Sequence, residues 1–287
     1  MIVVTGANGR LGRAVAGALA RRGAASKVVL TSRDPAKLAE FTAQGFRTAY
    51  ADYGDPDSLG AAFAGADRVL MISMPGPVAE RIPRHRNALD AARAAGVGQL
   101  VYTSRVNPTP QSLYSFAPIH YFSENYIKEI GLPATIVRNN EYAENVVKLI
   151  GEATDPDALM LPGAIGSVPY IPVADIAKIL ARLLTEDGHV GKTYELNGPE
   201  AIGRDGIAAL VAAATGRPVQ ALPIDGDEFS AFMAAKGRPP FAVEMVKTLH
   251  AAIDAGEFAT IWPDAERLLG RPPKAISTYL TETFSAR

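Results

Sequence analysis

The chain has 287 residues, enough for one large domain or two, and its 48% hydrophobic and 21% charged residues exclude a largely disordered protein. The 29 basic and 30 acidic residues give a formal net charge of -1, which argues against a broad nucleic-acid-binding surface. With no cysteine and four scattered histidines, the sequence excludes disulfides and thiolate chemistry and predicts no metal site.

Over the first half of the chain, short β-branched runs alternate with longer Ala-rich amphipathic stretches. The continuous apolar character of the runs is typical of parallel strands that are covered on both faces. Strands are expected at 2–4, 27–31, 47–49, 68–73, 99–103 and 135–138. Helices are expected at about 10–22, 35–44, 56–63, 78–95 and 119–130. In the fourth helix, Arg81 is expected to lie off the apolar face. The alternation predicts the α/β class with a Rossmann-type doubly wound parallel sheet.

After about residue 139 the alternation of strand and helix patterns ends, and Pro and Gly become frequent. Helical patterns remain near 174–185, 204–214, 227–236 and 241–255. One further strand, at 193–196, is expected to return to the main sheet. We therefore expect a first domain at 1–150 and a smaller, mostly helical lobe at 151–287 that binds the substrate.

A G-x-x-G-x-x-G motif lies between the first predicted strand and the first predicted helix. Its glycines suit a tight turn, a close approach of backbone N–H groups to a pyrophosphate, and close packing of the helix on the strand. The helix N-terminus adds a partial positive charge for the phosphates. The motif predicts that the first domain binds NAD(P). Its candidate cofactor-binding residues are Gly6, Asn8, Gly9, Arg10, Leu11 and Gly12.

The residues at the end of the second predicted strand indicate which of the two nicotinamide dinucleotides, NADPH or NADH, the protein binds. Arg33 lies about 20 residues past the glycines, where an NAD-binding protein usually has an acid. A guanidinium there can pair with a 2′-phosphate, and Lys37 can add a second cation. Asp34 could instead hold a 2′-hydroxyl, but its place before Pro35 favours a helix N-cap. These residues favour NADPH over NADH.

Further candidate cofactor contacts follow other predicted strands. Asp52 is either an acceptor for the adenine amino group or a turn cap. Ser73 and Met74 lie at the expected switch point of the sheet, where the backbone is expected to pass the nicotinamide ribose. Thr103 and Ser104 end the fifth strand, and Ser104 either binds a carbonyl oxygen or caps the strand.

The sequence lacks the residues that usually catalyse alcohol oxidation in such folds. None of the 10 tyrosines is followed four positions later by lysine, so no Tyr/Lys acid–base pair is present. Hydride transfer to a quinone or a similar electron-poor acceptor needs less proton assistance. His120, at the start of the fifth helix, is the candidate catalytic donor, or else a helix-start histidine bonded to backbone. Asn140 follows the sixth strand, where its amide binds cofactor or substrate or ties the two lobes together.

Several segments together resemble a known family: GANGRLG, SRDPAK, ADYGDPDSL, HRNALDAARAAGVGQLVYTS, His120-x-x-x-Glu124, RNNEYAENV and GHVGKTYEL. They look like the NmrA-like atypical short-chain dehydrogenase/reductase family, closest to its type 2 quinone oxidoreductase branch and to the triphenylmethane dye reductases. The resemblance implies NADPH with Arg33 and Lys37 at the 2′-phosphate, an active site in the cleft between the two lobes, and a branch without the Tyr/Lys pair. The loop at 105–118, expected to touch the substrate, departs from the family pattern.

The sequence leads to an NADPH-dependent reductase of quinones or similar electron-poor aromatics. An alternative of another class is a non-catalytic NADP(H)-sensing regulator of the NmrA type that acts through protein contacts. Reduction of a dye or an aryl ether is a third interpretation. The expected partner is a small-molecule electron acceptor, not nucleic acid or a membrane, and a homodimer is compatible with the sequence. Since no apolar stretch reaches about 18 residues and the N-terminus lacks a basic export segment, we expect a cytoplasmic protein.

Overall fold

The computed structural model describes residues 1–152, 158–162 and 165–285. Seven strands form the main sheet, and two pairs of short strands lie outside it. In chain order the strands are β1 (Ile2–Val4), β2 (Val28–Ser32), β3 (Arg47–Tyr50), β4 (Arg68–Met71), β5 (Gln99–Arg105), β6 (Ala134–Asn139), β7 (Ala158–Pro162), β8 (Ser167–Val168), β9 (Thr193–Leu196), β10 (Ile202–Gly203) and β11 (Gln220–Ile224). The helices are α1 (Arg10–Arg21), α2 (Ala39–Thr42), α3 (Pro56–Phe63), α4 (Val78–Ala94), α5 (Ala117–Glu129), α6 (Ala143–Glu152), α7 (Val173–Thr185), α8 (Arg204–Thr215), α9 (Gly226–Ala235), α10 (Pro240–Asp254), α11 (Asp264–Leu269) and α12 (Ile276–Ser285).

The main sheet has the order β3-β2-β1-β4-β5-β6-β9, and the pairs from β3 to β6 run parallel. The amide of Ile136 donates to the Lys192 carbonyl and the amide of Asn140 to the Leu196 carbonyl, so β9 also runs parallel to β6. The chain leaves β1 toward β2 on one side and later crosses to β4 on the other. The order therefore reverses between β1 and β4, where a doubly wound sheet opens its ligand crevice. This confirms the predicted fold class.

Apolar layers cover both faces of this sheet. On one face, α3, α4 and α5 contribute to a core with inward side chains of β1, β2, β4 and β5. On the other, α1 packs along α7, which also contacts β4 and β5. The side chains of the first layer include Val3, Leu59, Phe63, Leu89 and Ile127. Burying one such large apolar side chain contributes about 1.5–3 kcal/mol, so this layer holds α3, α4 and α5 firmly against the sheet.

The second half of the chain departs from the prediction. The return strand is confirmed as β9, but α6, α11, α12 and the short strands β7, β8, β10 and β11 were missed. The predicted helix at 35–44 is a 3-10 turn at Pro35–Leu38 followed by the four-residue α2. Strand pairs such as β8 with β10 join distant segments, so local patterns carry little information about them.

The chain divides into two compact units, each made of three stretches. Unit 1 comprises Met1–Arg105, Ile119–Asn139 and Val173–Glu195, and unit 2 comprises Val106–Pro118, Asn140–Pro172 and Leu196–Arg287. The sequence prediction instead drew a single boundary at residue 150. The stretches of the two units alternate along the sequence because β9 and α7, late in the chain, pack with the strands of its first half. In the part of the chain that the structure describes, no helix has the length and apolarity needed to cross a bilayer.

Candidate active site

The Gly-rich turn leaves the carboxyl end of β1 and enters α1. Gly6 has a φ of +61°, a region that favours glycine. A Cβ added to Gly12 would lie 2.5 Å from the Gly6 carbonyl oxygen and 2.6 Å from the Ala7 Cα. Both obstacles are backbone atoms, so any side chain at Gly12 would push the helix away from the turn. The close packing of α1 on the end of β1, which the third glycine of the motif is expected to allow, is therefore present.

The first turn of α1 suits an anion. A helix leaves its first N–H groups without intrahelical acceptors, and the N-cap Gly9 has no side chain that could supply one. The axis dipole places a partial positive charge at the same end. Arg10 is exposed and Leu11 is buried in the core. These residues fit the phosphates of a dinucleotide, although the individual contacts stay predictions.

Two cations follow β2 at the neighbouring strand end. Arg33 is exposed, and the Lys37 Nζ lies 3.4 Å from a carboxylate oxygen of Asp34. Asp34 stands at the N-cap of the turn that Pro35 opens, as the sequence indicated, and its backbone N–H donates to Ser32 Oγ at 3.1 Å. The arrangement presents positive charge next to the Gly-rich turn.

Arg13, which the sequence analysis did not single out, connects these two turns. Its Nε donates to the Asn8 carbonyl at 3.1 Å, and its Nη2 donates to both Asn8 Oδ1 and the Lys37 carbonyl, each at 2.7 Å. Its Nη1 pairs with Glu40. The sequence contains no local signal for this role, because Asn8 and Lys37 lie in different elements.

The segment after β4 is held by side chains of unit 1. The Ile72 amide donates to Thr5 Oγ1 at 3.0 Å, and the Tyr53 hydroxyl donates to the Ile72 carbonyl at 2.9 Å. The Ser73 amide donates to Thr103 Oγ1 at 2.9 Å. The Thr103 hydroxyl thus fixes the backbone at the switch point, and Met74 beyond it packs against the core.

Asp52 performs the turn role that the sequence offered as one of two alternatives. Its Oδ1 accepts the Gly54 amide at 2.8 Å, and its own amide donates to Ser58 Oγ at 3.0 Å. Binding of adenine by the same carboxylate stays a prediction.

His120 lies in the interior of unit 1, against Tyr102 on β5. The Tyr102 hydroxyl is 2.9 Å from His120 Nδ1, and the two residues are 0% and 6% exposed. Burial, and after it the charge of Arg81, lowers the pKa of His120 well below its usual range. Burial raises the pKa of the Tyr102 phenol. At neutral pH the pair is therefore a neutral imidazole bonded to a protonated phenol.

A second buried histidine, His85 on α4, lies beside this pair, and the sequence analysis assigned it no role. Its ring centroid is 6.0 Å from that of Tyr102, and its Nδ1 is 2.9 Å from Ser123 Oγ. Burial, with the Arg81 charge adding, lowers the pKa of His85 to about 3.

Arg81 itself is 3% exposed and donates to Ser73 Oγ at 2.7 Å, so its predicted place off the apolar face of α4 is wrong. Contact with the strand ends outweighs the apolar periodicity at that position.

The ends of β5, β6 and β9 carry an ionic network. Arg138 donates through Nε and Nη2 to the two oxygens of Glu124, at 2.9 and 2.6 Å, and through Nη1 to Glu195 at 2.8 Å. The Ser104 hydroxyl donates to Glu124 at 2.6 Å. The proton of Ser104 is therefore engaged within unit 1, and binding of a carbonyl oxygen by Ser104 stays a prediction.

Asn140 belongs to unit 2 and is 1% exposed. Its Nδ2 donates to the Phe258 carbonyl, and its Oδ1 accepts the Glu141 amide, at 2.9 and 2.8 Å. Both ends of the amide thus hold backbone within this unit, and its contact with cofactor or substrate stays a prediction.

The loop between β5 and α5 packs within unit 2. Tyr114 and Phe116 are buried, and the Tyr114 ring meets Phe258 edge-on at 6.1 Å. Glu257 accepts hydrogen bonds from Asn107 Nδ2 at 2.8 Å, from Ser112 Oγ, and from the Leu113 amide at 2.8 Å. Tyr114 and Phe116 are thus core residues of unit 2, and contact of this loop with the substrate stays a prediction.

The strand order, the switch point after β1 and the Gly-rich turn define the class: a Rossmann-type dinucleotide-binding protein. A sequence model of the NAD(P)H-binding family matches residues 6–187. The chain is 31% identical over 285 residues to Quinone oxidoreductase 2 of Escherichia coli strain K12, covering 99% of both sequences. It is 26% identical over 279 residues to an NAD(P)H azoreductase of Xenophilus azovorans, covering 97% of this chain and 96% of the other.

Solved structures give the same result. The triphenylmethane reductase of Citrobacter sp., complexed with NADP(H), matches with a TM-score of 0.92 at 29% identity and 99% coverage of both chains. The Escherichia coli NADPH-dependent quinone oxidoreductase complexed with NADPH also has a TM-score of 0.92, at 31% identity, with 99% of this chain and 100% of that chain covered. The protein belongs to the NAD(P)H-binding family, in its NmrA-like atypical short-chain dehydrogenase/reductase group, and is an NAD(P)H-dependent oxidoreductase.

Proposed function

We propose that this oxidoreductase prefers NADPH to NADH and reduces a quinone or a similar electron-poor aromatic acceptor. The observation that carries the proposal is the position of Arg33 and Lys37 after β2, beside the Gly-rich turn. A guanidinium can form two parallel hydrogen bonds with a 2′-phosphate, but gains much less from a 2′-hydroxyl. The names of the relatives, which include a quinone oxidoreductase, an azoreductase and a triphenylmethane reductase, support an electron-poor acceptor.

The lack of a Tyr/Lys acid–base pair in the sequence also favours an electron-poor acceptor. No tyrosine is followed four positions later by lysine, so the usual relay for alcohols and ketones is missing from the sequence. The product of quinone reduction is stabilised by delocalisation, and water can supply the remaining proton. Overall, NADPH, one proton and a quinone give NADP⁺ and a hydroquinone.

Bound NADPH supplies the hydride. We assign the pyrophosphate to the Gly6–Gly12 turn and the first turn of α1, and the 2′-phosphate to Arg33 and Lys37. His120 is assigned as a neutral hydrogen-bond donor to the acceptor oxygen, because its lowered pKa keeps it from carrying a second ring proton at neutral pH. The Tyr102 hydroxyl, as a protonated phenol, can donate to Nδ1 and leave the ring proton on Nε2.

Cofactor oxidation with NADPH and with NADH, over a panel of quinones and of simple ketones, tests the proposal. We expect turnover with quinones, little with ketones, and a higher kcat/KM for NADPH. Replacing Arg33 and Lys37 together with Ala removes charge-assisted hydrogen bonds worth about 1.5–3 kcal/mol each. The NADPH preference is then expected to fall by about 100-fold or more.

Lys27→Ala is the matched control, because this exposed lysine lies at the other end of the same strand. It is expected to leave the NADPH preference unchanged. Equal use of the two cofactors by the wild-type protein would contradict the assigned 2′-phosphate site. Tight NADPH binding with no oxidation by any acceptor would contradict the reductase and favour the regulatory alternative.

A further inference from the structure

Arg13 uses all three nitrogens of its guanidinium to connect three segments. Nε and Nη2 hold the Gly-rich turn at Asn8, Nη2 also holds the turn after β2 through the Lys37 carbonyl, and Nη1 pairs with Glu40 near the start of α2. The Phe41 ring lies 5.7 Å from Cζ and adds a cation–π contact. The side chain is about one-third exposed, so it can be exchanged without emptying the core.

The bridge joins the two parts of the proposed cofactor site that must stay in register. The Gly-rich turn faces the pyrophosphate and the turn after β2 faces the adenosine ribose, so their separation has to match a fixed distance along one ligand. A single atom, Nη2, donates one hydrogen to each turn, both at 2.7 Å. Because the guanidinium is planar and its donors have fixed directions, the two acceptors are held at a defined spacing.

We propose that Arg13 is a positioning residue that sets the preference for NADPH over NADH by holding the turn of Arg33 and Lys37 against the Gly-rich turn. The inference rests on the proposed function, because it takes the 2′-phosphate to lie at those two cations. Loss of the bridge lets the cationic turn move relative to the pyrophosphate site. NADPH binding suffers most, since only NADPH carries the group that those cations hold.

The experiment is calorimetric titration of the full chain with NADPH and with NADH. The variants are Arg13→Lys, which keeps the positive charge but lacks the planar group with fixed donor directions, and Arg13→Met, which removes the charge and the donors. In both variants we expect the dissociation constant for NADPH to rise about tenfold and that for NADH about twofold, within the range of one lost charge-assisted hydrogen bond. Arg21→Lys and Arg21→Met, at the exposed last turn of the same helix, are matched controls expected to bind like the wild type.

A double-mutant cycle separates positioning from general loosening of the site. In the background with Arg33 and Lys37 replaced by Ala, Arg13→Lys should no longer change the ratio of the two dissociation constants. A wild-type ratio in Arg13→Lys would mean that the fixed donor directions of the guanidinium are not required and would overturn the inference, as would an equal loss in both backgrounds. Should Arg13→Met fail to fold, Arg13→Lys decides the question. Equal binding of NADPH and NADH by the wild type would instead refute the proposed function itself.

Discussion

Burial, more than residue type, decides what the candidate catalytic side chain can do. The sequence indicates His120 as a candidate catalytic donor without deciding between a proton and a hydrogen bond, and its lowered pKa keeps it neutral at physiological pH. Tyr102 stays protonated for the same reason, since burial penalises its phenolate. A bonded neutral pair of this kind can orient an acceptor, but it has no proton that titrates near neutrality.

The first prediction concerns this pair. In the wild type, kcat/KM for a quinone is expected to be flat between about pH 6 and about pH 8, because His120 does not change charge there. Tyr102→Phe leaves buried Nδ1 without its partner, which costs about 1–3 kcal/mol, and is expected to lower kcat by about tenfold with little change in NADPH affinity. Steady-state kinetics over pH, with cofactor titration alongside, measures both effects.

Tyr121→Phe is the control for this change. Tyr121 is adjacent to His120 in the chain but 43% exposed, so its hydroxyl is expected to be dispensable. A rise in activity with an inflection near pH 6.5 that disappears in His120→Ala would show that His120 ionises during turnover, contrary to the expectation.

The loop between β5 and α5 shows how one carboxylate can order a connecting element. Glu257 accepts bonds from two side chains and one amide of this loop, and Thr248 exchanges hydrogen bonds with Ser115 farther along. Buried Tyr114 and Phe116 add apolar contacts within unit 2. The loop is therefore expected to be ordered, although its sequence contains no helix or strand pattern.

The second prediction is that Glu257→Gln loosens this loop. An amide presents only one oxygen, so its NH₂ group would face at least one of the three donors, at a cost of about 1–2 kcal/mol. Hydrogen–deuterium exchange over 106–118 is expected to accelerate about 5- to 30-fold, while β1 in unit 1 keeps its protection. Glu244→Gln removes a charge from an exposed site on α10 and is the matched control. Unchanged exchange in Glu257→Gln would mean that the apolar contacts alone order the loop.

Across the whole chain, buried neutral histidines link stability to pH. Burial lowers the pKa of His85 to about 3 and that of His250 to about 4, and lowers that of His120 well below its usual range. His85 and His120 belong to unit 1 and His250 to unit 2. Below pH 6.5 these histidines bind protons in the unfolded chain but stay neutral in the folded protein. Acidification therefore favours unfolding.

The third prediction follows from this sign. Each of these histidines is expected to reduce the free energy of unfolding by about 1.4 kcal/mol per pH unit, from about pH 6.5 down to its folded pKa. Urea midpoints measured at about pH 7 and about pH 5 should therefore fall with acid, whereas ordinary carboxylates still change little over this range. His85→Gln removes one titrating group and is expected to make the pH dependence shallower, whatever its effect on stability at neutral pH. A dependence as steep as in the wild type would contradict the contribution assigned to His85.

The sequence by itself determined the fold class, six of the main strands, the return strand and the Gly-rich turn. These features rest on local patterns: continuous apolar runs, helix caps and glycines at fixed spacing, whose effects reach only a few residues along the chain. The prediction of a 2′-phosphate site at Arg33 and Lys37 rests on the same kind of pattern, because their place follows directly from the end of β2.

Only the tertiary structure decided how the candidate site is assembled. The bond from Arg13 to the Lys37 carbonyl spans 24 residues, Tyr102 to His120 spans 18, and His85 to Ser123 spans 38. No local propensity encodes such pairs, because they form when separate elements pack on one sheet. The pKa of His120 and the burial of Arg81 depend on the same packing, since desolvation is a property of the folded surroundings and not of the residue.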